Sequence, residues 1–533
     1  MAEKRTEGFI KGAMILMIAN ILVKVIGAVF RIPLTRAVGD YSMGLYSASY
    51  KYYTILLTIA TAGIPLAISK MISESRALGR VQESKRIFRI AFLFCIALGG
   101  FGTLFMIVFA NPLAALANNH EVATSVLALA PAVLLISIAA GLRGFFQGQN
   151  NMLPTGLSQV LEALSRLFVG LFLALLFIKL SYEPKYIAAG AITGVTIGTG
   201  LSALLLTVLY FISKKRRDAH DAELSESGEC RTGKQILKAL LALAIPVTLA
   251  ALVVNLTNAI DLVLVTNRLG VLGYDTIKIT SLFGIYDNYA IPLFNLVPSV
   301  IISLNVSITP VVAAAYARRD FETLHGTLMS AIRLVVIISL PAAVGIGVLA
   351  NPILSLLFGA GASADTAAPV LVILSVASVF LCVASLTSTA LQALGKPLVP
   401  VGTMVLGAVV KIVANYVLIA IPGIELKGAA IGTVLCYVLI AILNLAYLAR
   451  QIQFKPNLIL TYGKPLLASI VMGVLCFGAY RLIPGVIGLV LAVGVGGVTY
   501  VVTLVLSGGV TPEDVRILPK GEKLAALLAR RKK

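Results

Sequence analysis

Among the charged side chains in or at the edge of long apolar runs, Lys24, Arg31, Arg36, Lys51, Arg166 and Lys411 are the basic candidates for chemistry, and Glu162, Asp261 and Asp287 the acidic ones. An ionisable group in hydrocarbon is costly, so it faces a cavity, an opposite charge or a ligand. Lys24 lies twelve residues into the first apolar run, about 18 Å along a helix rising 1.5 Å per residue, too deep for a lysine to snorkel out. Arg166 follows Pro154 by twelve residues and Lys411 follows Pro400 by eleven, which puts two cations at similar depth in separate spans. Glu162 precedes Arg166 by four residues, on the same helix face and in the favourable order for an ion pair; a structural pair and a functional carboxylate are equal readings there. Arg31 and Arg36 read equally as interfacial anchors. Six cations against three carboxylates leave a positive excess, which suits an anionic group such as a phosphate or pyrophosphate better than a cation.

Bond-making chemistry has little support. There is no Walker loop, HExxH or GxSxG, and His120, Glu121, Glu183, Asp275, Asp365 and Glu425 in the expected outer loops form no catalytic or metal-binding cluster by spacing. Five cysteines are scattered, four of them in apolar runs, and read as small core residues without a disulfide framework.

The elements that carry these charges are membrane spans. The chain has 533 residues, of which 59% are hydrophobic and 12% charged, with mean hydropathy +0.98; soluble domains are about 45–50% apolar and about 25% charged. Apolar runs predict about fourteen transmembrane helices in an all-α protein: 12–30, 42–70, 87–110, 122–146, 154–178, 186–212, 236–266, 280–312, 328–350, 367–393, 398–421, 428–449, 464–482 and 486–507. The long stretch 280–312 is expected to tilt or break at Pro292 and Pro298. The first run extends past Lys24 without a cleavage motif and reads as a retained helix. Net charge is +20, and most of the 43 Lys+Arg fall in loops on one side. The positive-inside rule then places both termini in the cytoplasm and accounts for the charge without nucleic acid.

The chain repeats itself. Gly44-Leu45-Tyr46 and Gly284-Ile285-Tyr286 lie 240 residues apart, as do Ala110-Asn111-Pro112-Leu113 and Ala350-Asn351-Pro352-Ile353, and Gln147 to Pro154 resembles Gln392 to Pro400. Two parallel six-helix repeats follow, a class in which the halves rock around a central site. The expected domains are an N-lobe at 1–212, a polar cytoplasmic linker at 213–234, a C-lobe at 235–450, two extra helices at 451–510 and a basic cytoplasmic tail at 511–533. Gly190, Gly194 and Gly198 have the spacing of a tight helix contact. Tyr46, Tyr50, Tyr52 and Tyr53 read first as interface anchors and second as a stacking platform for sugar rings.

The segments KVIGAVFRIPLTRAVGDYSMGLYSASY (24–50), TAGIPLAISKMISE (61–74), LRGFFQGQNNMLPTGLSQVLEALSRL (142–167) and LQALGKPLVP (391–400) resemble the multidrug/oligosaccharidyl-lipid/polysaccharide flippase superfamily, in particular its MurJ and stage V sporulation protein B branch, over nearly the whole chain. The resemblance implies two six-helix lobes around a cationic cavity, and two further helices forming a groove for a lipid tail. It implies that undecaprenyl-pyrophosphate-linked precursors, lipid II above all, are carried to the outer leaflet of a bacterial plasma membrane by alternating access. The family's basic cavity residues correspond to Lys24, Arg31, Arg36 and Lys51; lysine where the branch more often has arginine keeps the charge but loses the bidentate fork. The implied partners are lipid II or another undecaprenyl-pyrophosphate-linked glycan, membrane lipids and the cell-wall synthesis machinery. No cofactor is implied. Energy would come from a coupling monovalent cation, the membrane potential or downstream consumption, with Glu162, Asp261 and Asp287 as ion-coupling or pairing groups. A cation-coupled multidrug antiporter of the same superfamily, the rival, would need carboxylates to dominate the cavity.

Overall fold

The computed structural model describes residues 2–213, 231–452 and 459–509. Most of the linker and the basic tail at 511–533 therefore lie outside the described residues. Among those described, regular structure is helical throughout. In chain order the helices are α1 (Ala2–Thr61), α2 (Ile64–Ala77), α3 (Val81–Val108), α4 (Ala110–Leu116), α5 (Val122–Gly148), α6 (Leu153–Lys179), α7 (Pro184–Ile212), α8 (Gly233–Val271) and α9 (Thr276–Ile285). A π-helical turn at Tyr286–Ala290 leads to α10 (Ile291–Phe294), α11 (Leu296–Ala317), α12 (Phe321–Val348), α13 (Ala350–Phe358), α14 (Ala362–Ala393), α15 (Leu398–Leu418) and α16 (Leu426–Ile452). A second π turn at Ile459–Gly463 precedes α17 (Lys464–Leu482) and α18 (Val486–Leu506).

Twelve of the described helices are long and apolar enough to cross a membrane, or thirteen when the bent pair Thr276–Ile302 and Ser307–Ala317 is taken as one span. That differs from the expected fourteen chiefly at the start, where 12–30 and 42–70 merge into one apolar stretch, Met14–Ala77. At 1.5 Å per residue, the two helical segments of α1 together run to about 90 Å, roughly three times the hydrocarbon thickness. The two meet at a break at Gly39, whose φ of 78° and ψ of 168° are non-helical and cost little only without a Cβ. Lys24, Arg31 and Arg36 lie before this break and Lys51 after it. The stretch 280–312 is interrupted by the π turn and again at Asn295; Pro292 and Pro298 supply no backbone donor there.

Contacts divide the chain into two compact units. The first holds residues up to Gly270 together with Tyr274–Gly284, and the second holds Val271–Gly273 and the rest from Ile285. Helix α8 and nearly all of α9 thus pack with α1–α7, although the sequence repeat assigns them to the second copy. Repeat and packing are different divisions of this chain. A Cβ on Gly63 would overlap the Ala244 carbonyl oxygen, so α8 runs directly against the α1–α2 corner. Asn255 Nδ2 then donates to Thr58 Oγ1 at 2.8 Å, and Asn267 Nδ2 to the Leu116 carbonyl at 2.9 Å. The two repeated glycines meet in the same unit. A Cβ on Gly44 would overlap the Thr280 carbonyl oxygen, and one on Gly284 the Asp40 carbonyl oxygen. Each glycine meets the carbonyl four residues before the other, so the crossing is symmetric. Asn119 Nδ2 reinforces it by donating to Thr280 Oγ1 at 2.8 Å and to the Tyr41 hydroxyl at 3.1 Å.

The core of the first unit joins α1, α2, α3, α5, α7 and α8 through residues such as Ala60, Ile68, Ile72, Ile87, Phe146, Leu206 and Leu240. In the second unit, one cluster joins α11, α12, α14 and α16. Another packs α17 and α18 through Met472, Cys476 and Leu504, with the Tyr500 hydroxyl donating to the Ile337 carbonyl of α12 at 2.7 Å. Large apolar side chains such as Phe101, Phe168, Phe172 and Ile487 face outward, as a bilayer requires and water would not tolerate. The four described cysteines are buried and unbridged.

Outside the spans, the Asp320 carboxylate caps α12 by accepting from the Thr323 N–H at 3.0 Å, which holds its pKa below the ordinary aspartate value. A depressed carboxyl contributes its stabilisation above the unfolded value, about 3.9, and loses it as pH falls through the folded one. Asp320→Ala should therefore lower the thermal midpoint slightly at pH 7, and the difference between the two proteins should shrink as pH falls below the ordinary aspartate range. Scanning calorimetry across that range checks this.

Candidate functional site

Within the first unit a cavity of about 370 Å³ is walled by α1, α2, α5 and α6. Helix α1 gives it Asn20, Val23, Gly27 and Phe30, one face of the helix by spacing, while Arg143 and Gln147 come from α5, and Gln159, Glu162 and Arg166 from α6. Three ionisable groups and three amides in a membrane-embedded, partly apolar cavity fit the general plan of a ligand site.

The centre is an ion cluster. Glu162 Oε2 accepts from Arg143 Nη2 at 2.9 Å, while Oε1 lies 3.8 Å from Arg166 Nη2. Arg143 also donates from Nε to Ser158 Oγ at 3.0 Å and from Nη2 to Ser202 Oγ at 2.9 Å. The Arg143 and Glu162 side chains are only 10% and 14% exposed, so this pair is desolvated and its hydrogen bonding decides its worth. Helix α7 reaches the cluster through its glycine stripe. A Cβ on Gly194 would stand 2.6 Å from Gly170 and one on Gly198 2.7 Å from the Glu162 carbonyl oxygen. That close approach sets Ser202, one turn on, against Arg143.

Arg166 is held differently. Its guanidinium carbon lies 5.6 Å from the centre of the Tyr50 ring, within cation–π range, and Nη1 is 3.4 Å from the Tyr50 hydroxyl. Its buried Nε has no hydrogen-bond partner among the described residues, nor has Gln159 Oε1. Arg143 is thus committed to the protein, whereas Arg166 has donor capacity left in the cavity. The tyrosines do not anchor at an interface as expected. Tyr46, Tyr50 and Tyr53 form a chain of ring contacts that begins at Phe30, and Tyr46, Tyr52 and Tyr53 are buried. Spacings of four and three put Tyr46, Tyr50 and Tyr53 on one face, and Arg166 meets that face through Tyr50.

The structure brings Glu162 and Arg166 together. Lys24 is exposed and makes no ion pair among the described residues, but it follows the lining residue Asn20 by one turn and shares a stripe with Arg31, seven residues on. Arg31 and Lys51 are half-buried and Arg36 is exposed. Asp261 is buried on α8 in the first unit, Asp287 in the π turn and Lys411 on α15 in the second. No group of His, Cys, Asp and Glu that could hold a metal occurs among the described residues.

Sequence reading does not single out Arg143, which lies near the end of the apolar run 122–146. Its signal was available: it sits inside the 142–167 segment that also carries Ser158, Glu162 and Arg166. The second unit repeats the node without the arginine–carboxylate pair. Counting on by 245 residues, Ser388 stands for Arg143, Thr403 for Ser158, Gly407 for Glu162 and Lys411 for Arg166. There Asn444 of α16 donates to Ser388 Oγ at 2.9 Å and accepts from Thr403 Oγ1 at 2.8 Å. The same three-helix joint is held by Asn444 hydrogen bonds in one copy and by an arginine–carboxylate pair in the other. Stability alone does not require the ions.

A helical bundle of this kind, with two repeats and charge buried at membrane depth, defines a multi-pass membrane transporter. The chain matches the family described as polysaccharide biosynthesis protein over residues 9–316 and that described as MatE over residues 288–417. It belongs to the polysaccharide biosynthesis protein family, within the multidrug/oligosaccharidyl-lipid/polysaccharide flippase superfamily. Among relatives from Bacillus subtilis (strain 168), it is 27% identical to the uncharacterized membrane protein YabM, covering 98% of this chain and 97% of that one. It is 27% identical to stage V sporulation protein B, covering 84% and 85%, and 23% identical to the lipid II flippase MurJ, covering 94% and 93%. The solved structure of the lipid II flippase MurJ in an inward closed conformation superposes with a TM-score of 0.66 at 18% identity, over 92% of this chain and 98% of that one.

Proposed function

We propose that this protein carries an undecaprenyl-pyrophosphate-linked glycan, lipid II in the first place, from the inner to the outer leaflet of a bacterial plasma membrane for cell-wall synthesis. The observation that carries this reading is the charge ratio of the cavity, where two guanidiniums share one carboxylate and Arg166 keeps an unused donor. A pyrophosphate cannot cross hydrocarbon unaided. Arg166 and the Lys24–Arg31 stripe would replace its hydration while the prenyl tail stays in lipid, and Lys51 and Arg36 would extend the positive field along its path. Relatives named for lipid II flipping and sporulation support the substrate class. A cationic drug would need an uncommitted carboxylate, and Glu162 is already bound to Arg143. The basic loops support a cytoplasmic location for both termini, and the energy source in this reading is the membrane potential or a monovalent cation acting at Asp261 or Asp287, since Glu162 is committed to Arg143.

The test is translocation of a fluorescent undecaprenyl-pyrophosphate disaccharide in proteoliposomes. Arg166→Ala and Lys24→Ala should each lower the initial rate at least about tenfold, the loss of one charge-assisted contact, and Arg166→Lys should restore part of it. Normal rates in both alanine variants would refute the site.

A further inference from the structure

We propose that the first unit holds a second, separate site, an intramembrane cleft that takes one acyl chain of a diacyl glycerolipid and hydrogen-bonds its ester carbonyl through Tyr52. The cleft has a volume of about 450 Å³ and lies between the later half of α1, the α3–α4 corner and α8, apart from the ionic cavity and sharing none of its lining residues. Its wall is hydrocarbon, with Phe105, Met106, Leu113, Ala259 and Val263 among the lining side chains, and Tyr52 the single polar one.

Three observations point to a lipid. Helix α8 is pinned on either side of the cleft, by Asn255 to Thr58 and by Asn267 to the Leu116 carbonyl. The pins are twelve residues apart, about 18 Å along the helix, and the α8 residues that line the cleft fall between them. The spacing is therefore built in. Leu116 and Leu256 at its edge are 51% and 44% exposed, so the cleft opens sideways to the bilayer. Apolar cavities exclude water and take apolar guests, and acyl chains are the apolar molecules at that opening. Finally, Tyr52 is 7% exposed and its buried hydroxyl has no hydrogen-bond partner among the described residues. A buried unsatisfied hydroxyl is expensive, and pure hydrocarbon would leave it so. A chain that carries a carbonyl at its head satisfies both the wall and the hydroxyl. The Tyr46–Tyr50–Tyr53 face turns toward Arg166, whereas Tyr52 looks the other way, which is why one tyrosine run serves two sites.

The full-length protein in nanodiscs of phosphatidylglycerol is exposed to light with a phosphatidylglycerol bearing a diazirine on one acyl chain, and labelled peptides are mapped by mass spectrometry. Labelling is expected on the peptides containing 105–116 and 256–264. Ala259→Phe, which fills the cleft, should remove most of it. Tyr52→Phe, which keeps the ring, should lower it about fivefold, the worth of one net hydrogen bond. Background labelling in wild type, or unchanged labelling in both variants with wild-type melting points, would overturn the proposal. So would preferential labelling of these peptides by a diazirine prenyl phosphate, which would make the cleft a prenyl site.

Discussion

Arg143→Ala is expected to cost about 3–5 kcal/mol of stability, the usual penalty for leaving one member of a buried ion pair without its partner, and to abolish transport. Arg143 makes three hydrogen bonds from a side chain only 10% exposed. Without it, Glu162 has Arg166 at 3.8 Å, which would draw the free cation out of the cavity. The double variant Arg143→Met with Glu162→Leu separates the two consequences. Apolar residues of similar volume commonly replace a buried pair at no loss of stability, and the Asn444 node of the second unit already holds the equivalent joint. The double variant should therefore melt near wild type in detergent while its transport remains absent. Recovery of transport along with stability would mean that the ions serve packing alone.

The glycine crossing should be nearly as sensitive. Gly44→Val and Gly284→Val each place a branched side chain where even a Cβ overlaps a carbonyl oxygen, and α1 and α9 would have to separate. Overpacking of this kind costs about 1–3 kcal/mol or more. Because the contact is reciprocal, once one substitution has parted the helices the second should add little; residues that share a contact are coupled by 0.5–3 kcal/mol, roughly. Thermal unfolding of both single variants and the double variant measures that coupling. Additive losses would show that the two glycines act independently.

These two sites differ in how far they could be read in advance. The glycine pair was visible as a 240-residue repeat, and the Glu162–Arg166 pair as an i, i+4 spacing, because both are periodic in the sequence. The apolar runs likewise forecast a helical membrane protein. What escaped was set by tertiary approach. Arg143 lies near the end of an apolar run, where hydropathy assigns it to the cytoplasmic edge, and only the Gly194 and Gly198 contacts bring α7 and Ser202 to it. The tyrosine run reads first as interface anchors and second as a stacking platform, yet it sends Tyr50 to Arg166 and Tyr52 to the cleft, since adjacent helical residues point about 100° apart. The break between the two helical segments of α1 depends on the non-helical backbone of Gly39, which hydropathy alone does not place. The packing of α8 and α9 with the first copy depends on the glycine contacts at Gly63, Gly44 and Gly284, and the repeat pattern is silent about it.

The central claim is that the cationic cavity binds a pyrophosphate-linked lipid. Native mass spectrometry of the purified protein, with lipid II, a zwitterionic phospholipid and a cationic drug offered in turn, tests it most directly, with Lys24→Ala and Arg166→Ala alongside. Selective binding of lipid II that weakens at least about tenfold in each variant is the expected result, since charge-assisted contacts to phosphate are strong where water is excluded. Drug binding without preference for lipid II, or lipid II binding indifferent to both substitutions, would contradict it.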